Sequence, residues 1–134
     1  MKSKSILDTN ILIRFLTGDP LDQAKLVKNL FSKAKRKSLI IPDVILVESV
    51  FVLLSLYNLP KSEVIEMVSA LIVYEKFDLH TVLFQKTLEI FSKYPISFVD
   101  AYICAMNITA PDKMVYTFDK RILTIEEVNS QKPE

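Results

Sequence analysis

Ser5-Ile6-Leu7-Asp8-Thr9-Asn10-Ile11-Leu12-Ile13-Arg14-Phe15-Leu16, residues 5–16, reads as a short strand stopped by Asp8 and followed at once by a helix over residues 9–16. The Gly18-Asp19-Pro20 turn ends that unit. Outward from it the same alternation continues. A helix-period stripe at Leu21, Ala24, Val27, Leu30, Phe31 and Ala34 predicts a second helix. Ser38-Leu39-Ile40-Ile41 predicts a second strand, and Pro42 suits the first turn of the helix that follows to about Tyr57. That helix is apolar nearly all round and is expected to be central. Val64, Ile65, Val68, Leu71 and Ile72 mark a fourth helix, and Lys76-Phe77-Asp78-Leu79 a short strand. Helices over residues 81–94 and 97–108 follow, then a strand at Met114-Val115-Tyr116-Thr117-Phe118, with a turn or edge strand within 122–128. Strands alternating with helices predict an α/β fold with a parallel sheet flanked by helices. Ligands of such sheets bind beyond the carboxyl ends of the strands, where Asp8 and Asp119 fall.

Four acids interrupt apolar runs: Asp8, Glu48, Asp100 and Asp119. Glu48 is the sharpest case. Within Val44-Ile45-Leu46-Val47-Glu48-Ser49-Val50-Phe51-Val52-Leu53-Leu54 only Glu48 and Ser49 are polar. On a helix its neighbours three and four residues away are Ile45, Val44, Phe51 and Val52, none of which can pair with a carboxylate. An ionised carboxylate in an apolar setting needs a compensating partner. Ordinary structural roles also exist. Asp8 can cap the helix from Thr9, Ser97-Phe98-Val99-Asp100 fits a capping box, and Asp119 can cap a short helix from Lys120. Glu48 lies too deep for capping, so its structural reading is a buried salt bridge with a distant Lys or Arg. If the acids instead share a cation, oxygen ligands without a His or Cys cluster select Mg²⁺ or Mn²⁺. Such ions activate water and stabilise an in-line phosphodiester displacement. Asn10 and Thr117 stand two residues from Asp8 and Asp119 as supporting polar groups, and Arg14, Lys120 and Arg121 as candidate phosphate contacts.

Composition bounds the rest. At 134 residues the chain is read as a single domain, residues 1–134, rich enough in hydrophobic residues (50%) to bury a core. Net charge is +1, so any contact with nucleic acid has to be local. The apolar run from residue 44 to 57 is short and carries Glu48, which excludes a bilayer span. Met1-Lys2-Ser3-Lys4-Ser5-Ile6-Leu7-Asp8 does not read as a signal peptide. The single cysteine, Cys104, excludes an intrachain disulfide, fits a reducing cytoplasm and is expected in the core. The only histidine, His80, has no metal-ligand partner by spacing and is expected to be structural or exposed. Lys33, Lys35, Arg36 and Lys37 read as a solvated helix end, and one glycine in the whole chain, Gly18, excludes a glycine-rich phosphate loop.

Four pieces in order, Ile6-Leu7-Asp8-Thr9-Asn10, Glu48 in its apolar helix, Ser97-Phe98-Val99-Asp100-Ala101 and Tyr116-Thr117-Phe118-Asp119, resemble a PIN-domain ribonuclease of the VapC-like toxin type. The resemblance runs from about residue 4 to residue 122 and leaves little room after Asp119 for a last strand. It implies a three-layer PIN-like fold with a central parallel sheet between helices. It also implies Mg²⁺- or Mn²⁺-dependent cleavage of RNA at Asp8, Glu48, Asp100 and Asp119, a homodimer, and an inhibitory antitoxin protein as partner. Two other classes compete. One is a catalytically silent PIN-like module that binds RNA or protein. The other is a phosphotransfer domain with Asp8 as nucleophile, disfavoured because Thr9 and Asn10, not a second acid, follow Asp8.

Overall fold

The computed structural model describes residues 3–134; Met1 and Lys2, part of the N-terminal stretch read against a signal peptide, lie outside the described residues. The elements are β1 (Ser5–Ile6), α1 (Thr9–Thr17), α2 (Leu21–Lys33), β2 (Leu39–Ile40), α3 (Asp43–Ser55), α4 (Lys61–Val73), β3 (Phe77–Asp78), α5 (Thr81–Lys93), α6 (Phe98–Thr109), β4 (Val115–Tyr116), α7 (Lys120–Leu123) and β5 (Ser130–Gln131). The chain forms two compact units that meet in sequence between Leu79 and His80.

In the first unit β1, β2 and β3 form a parallel sheet in that order, with Ser5 beside Leu39 and Leu39 beside Phe77. Parallel neighbours require a long return, and helices α1 to α4 supply it. Helices α2, α3 and α4 start alike. A proline (Pro20, Pro42, Pro60) occupies each N-cap with extended ψ, one residue ahead of the first-turn place expected for Pro42. Its carbonyl accepts the first helical bond, at 2.9 Å from Ala24, 3.2 Å from Leu46 and 3.1 Å from Val64. None of these caps bonds through a side chain; an acid in each first turn (Asp22, Asp43, Glu63) meets the helix dipole instead. Helix α1 ends at Gly18, whose φ of 71° lets its N–H reach the Arg14 carbonyl at 2.9 Å. Leu12, Leu46, Val50 and Leu53 fill the core where α1 packs on α3. Phe15, Phe31, Tyr74 and Phe77 form an aromatic cluster, with Phe31 and Phe77 edge to face at 5.3 Å.

Two expectations are corrected in this unit. Helix α3 is not buried all round: Val44 is 70% and Phe51 65% exposed, and Glu48 between them is exposed as well. Positions 44, 48, 51 and 55 fall on one stripe at helical spacing, and that stripe faces solvent while Leu46, Val50 and Leu53 face inward. The apolar stripe of α2 is also only partly a core face. Val27 and Phe31 are buried, whereas Leu21 and Leu30 are exposed.

In the second unit α5 packs on α6 through Phe84, Phe91, Phe98 and Tyr102, with Phe91 edge to face on Phe98 at 5.3 Å. Strands β4 and β5 pair in parallel, Val115 beside Ser130 and Tyr116 beside Gln131. The sequence therefore does have room for a last strand after Asp119. It follows the one-turn helix α7 and lies at residues 130–131, beyond the expected 122–128. Buried Asn107 ties this region together: its Nδ2 donates to the Lys113 carbonyl at 3.0 Å and its Oδ1 accepts from the Asn129 N–H at 2.8 Å. Those bonds hold the segments leading into β4 and β5. Among the described residues all strand pairs are parallel, as the α/β reading required, and they form one three-stranded and one two-stranded set. Among the described residues no helix is long and apolar enough to cross a membrane.

Candidate active site

Each unit holds two of the four predicted acids. In the first, Asp8 follows β1 directly and is the N-cap of α1, its Oδ1 accepting the Ile11 N–H at 3.1 Å. The cap expectation is met by one oxygen, leaving Oδ2 out of that bond. Thr9 donates its hydroxyl to Oε1 of Glu48, in the second turn of α3. Glu48 thus has a neutral hydroxyl as partner and lies on an exposed face, so it is not the buried ion pair considered for it. Its apolar neighbours do not bury it, because two of them, Val44 and Phe51, share its solvent-facing stripe. The only sequence signal for Thr9 is a hydroxyl directly after the strand-end acid. Asn10 accepts from Arg14 at 3.5 Å, and Arg14 Nε donates to Gln23 at 2.8 Å.

In the second unit Asp100 stands in the first turn of α6, its N–H donating to the capping Ser97 hydroxyl at 3.1 Å. Asp119 is the N-cap of α7, its Oδ1 accepting the Arg121 N–H at 2.8 Å, and Thr117 accepts the Asp119 N–H at 3.0 Å. The Arg121 guanidinium closes on the same carboxylate, Nη2 to Oδ2 at 2.9 Å and Nε to Oδ1 at 3.2 Å. It also stands 3.9 Å from Asp100 Oδ2 and donates from Nη1 to the Pro95 carbonyl at 3.2 Å. The Arg121 side-chain bond, with its backbone N–H, holds the Asp119 carboxyl below its ordinary value, and Asp119 in turn raises Arg121. Cys104, one helical turn beyond Asp100, is buried in the core as expected. Burial first, then the charges of Asp100 and Asp119, push its thiol up to about 11. It is held as a neutral thiol, with no nucleophilic role at neutral pH.

The donors in both units are carboxylates and hydroxyls, the hard oxygen set that suits Mg²⁺ or Mn²⁺ and not zinc. Among the described residues no group of three or more His, Cys, Asp or Glu that could hold a metal ion is assembled. Where Asp100 and Asp119 approach one another a cation does stand, the guanidinium of Arg121, so that pair fits a cationic guest. His80 is exposed and directly precedes α5. Lys33, Lys35 and Arg36 are exposed, as expected of a solvated helix end, and Lys37 is half-buried.

The family model described as PIN domain matches residues 5–128, a span that contains all four acids. No curated protein matches the chain.

Proposed function

Since the chain belongs to the PIN domain family, whose nuclease-type fold it shares, we propose that it is a divalent-metal-dependent endoribonuclease and the toxin of a toxin–antitoxin pair, of the VapC-like type. The observation that carries this reading is the match of residues 5–128, which contain all four acids, to a family of nucleases. Asp8, Glu48, Asp100 and Asp119 are the acidic ligands in this reading, with Mg²⁺ or Mn²⁺ as cofactor. Bound there, the ion supplies activation of water and neutralisation of charge developing on phosphorus-bound oxygens. The chain's own residues orient these donors. Thr9 holds one Glu48 oxygen, the Ile11 N–H fixes Asp8, and the Thr117 hydroxyl fixes the backbone of Asp119. Products would carry a 5′-phosphate.

RNA as substrate is supported by two aromatic side chains preceding Asp119. Tyr116 and Phe118 are 65% and 71% exposed at alternate positions, an arrangement that offers bases a stacking surface. Lys120, also exposed, is a candidate phosphate contact, and Arg14 and Arg121 are others once free of their present partners. An antitoxin and a second copy of the chain are the proposed protein partners. Exposed Leu21, Leu26 and Leu30 on α2 and exposed Val44 and Phe51 on α3 are apolar surface of the kind such contacts cover. A cytoplasmic location fits the lone unpaired cysteine.

Cleavage of a mixed RNA pool by purified protein with Mg²⁺ or Mn²⁺, beside EDTA and Asp100→Asn controls, tests the reading. Cutting that requires both metal and Asp100 is expected. The alternative, a catalytically silent binding module, is favoured by one observation: Arg121 already occupies Asp119. It predicts that Asp100→Asn leaves RNA or partner binding unchanged and that the wild type cuts nothing.

A further inference from the structure

Arg121 sits on Asp119 as a fork, two nitrogens on two oxygens at 2.9 and 3.2 Å, the strongest geometry available to this pair. Its Nη2 is shared with Asp100 at 3.9 Å, and the Pro95 carbonyl holds Nη1 at 3.2 Å. The side chain is 57% exposed, yet it is held by three groups that lie at separate points of the chain. Its neighbour Lys120 is exposed and pairs with neither acid. The difference is geometric. Two carboxylates near each other repel, and a guanidinium that reaches both relieves the repulsion as a divalent ion does. Nη2 already meets Asp119 Oδ2 at 2.9 Å and stands 3.9 Å from Asp100 Oδ2, so these two acids, if they held a divalent ion, would do so with carboxylates that Arg121 now engages.

We propose that Arg121 is the resident counter-cation of Asp100 and Asp119, and that it competes directly with the divalent ion for their oxygens. The inference rests on the metal-dependent reading above and adds to it a regulatory contact: the affinity of these acids for metal is set by a side chain of the chain itself. Arg121 holds the acids in place without metal, limits the repulsion between them, and leaves Asp119 when the ion takes its oxygens. It is a positioning residue in this role, because it acts through the acids.

Calorimetric titration with Mn²⁺ alone compares the wild type, Arg121→Gln and Lys120→Gln. Arg121→Gln is expected to tighten Mn²⁺ binding by about two- to fivefold, the worth of a partly exposed ion pair, and Lys120→Gln to change it less. In the wild type the Arg121 Nε–H resonance should shift with Mg²⁺ and saturate along the binding isotherm; this decides the matter even if Arg121→Gln does not fold. Equal Mn²⁺ affinity in wild type and Arg121→Gln overturns the proposal, as does saturation by Mg²⁺ with the Nε–H unmoved. Those results leave metal binding intact. Absence of Mn²⁺ binding in all three proteins instead removes the metal-dependent reading and this contact's competitive role together.

Discussion

Thr9 donates its hydroxyl to Glu48, joining the N-terminus of α1 to the second turn of α3 across a separation of 39 residues. Asp8, the adjacent residue, caps the same helix, so one turn of backbone positions both acids of the first unit. Thr9→Val keeps the β-branched shape and removes the donor. On the proposed reading of Glu48 as a metal ligand, cleavage should fall by about tenfold or more, the usual cost of losing a ligand-orienting hydrogen bond, while Thr9→Ser stays near wild type. Single-turnover RNA cleavage at saturating Mg²⁺ measures it, with circular dichroism confirming an unchanged fold.

Asn107 is buried with both ends of its amide committed, to the Lys113 carbonyl and the Asn129 N–H. Asn107→Ala leaves both backbone groups without that partner and should cost about 2–4 kcal/mol. Urea unfolding reads the loss directly. The effect should concentrate at β4 and β5, where hydrogen exchange of the Val115 and Thr117 amides, bonded across to Asn129 and Gln131, should accelerate.

Asp119 has its carboxyl lowered below the ordinary value of 3.8 by Arg121. A depressed carboxyl contributes stability that is present above its unfolded value and is lost as pH falls through its lower folded value. Arg121→Gln should therefore lower the melting temperature at neutral pH and lose that effect in acid well below 3.8. A difference that persists unchanged into strong acid would assign the role of Arg121 to its bond with the Pro95 carbonyl instead.

Cys104 carries the opposite sign. Its thiol is raised from 9.0 to about 11, so the folded protein keeps a proton that the unfolded chain releases. The associated stability is complete below 9.0 and is lost as pH rises through about 11. Native protein should react slowly with a thiol reagent near pH 8, and denaturant should raise the rate by about tenfold or more, because burial and the thiolate fraction both change. Reaction as fast as in the unfolded chain would show that the side chain is neither buried nor held neutral.

Phe77 opens its strand against the rings of Phe31 and Tyr74 and is 0% exposed. Phe77→Leu should be tolerated better than Phe77→Ala, which should cost about 3–5 kcal/mol in urea unfolding by loss of packing and the cavity left behind.

The sequence by itself determined the order of strands and helices as far as β4, with most helix ends placed within a residue or two; the strands are shorter than their apolar runs, and β5 lies outside the expected stretch. Asp8, Asp119 and the Ser97–Asp100 pair could be placed at helix starts because capping is a bond over two or three residues. The parallel pairing of β1 with β2 and of β2 with β3 followed from the helices between them, which span the return that parallel strands need. What only the tertiary structure decided was which faces meet. An all-apolar helix carries no period to say which side is inward, so the exposure of Val44, Glu48 and Phe51 became visible only once α1 covered the opposite side of α3. The Thr9–Glu48 bond, the Asn107 staple and the contacts of Arg121 with Pro95 and Asp100 likewise depend on separations of about 20 to 40 residues. Local propensity carries no information about such distances; packing sets them, because only the folded backbone brings those donors within reach of their acceptors.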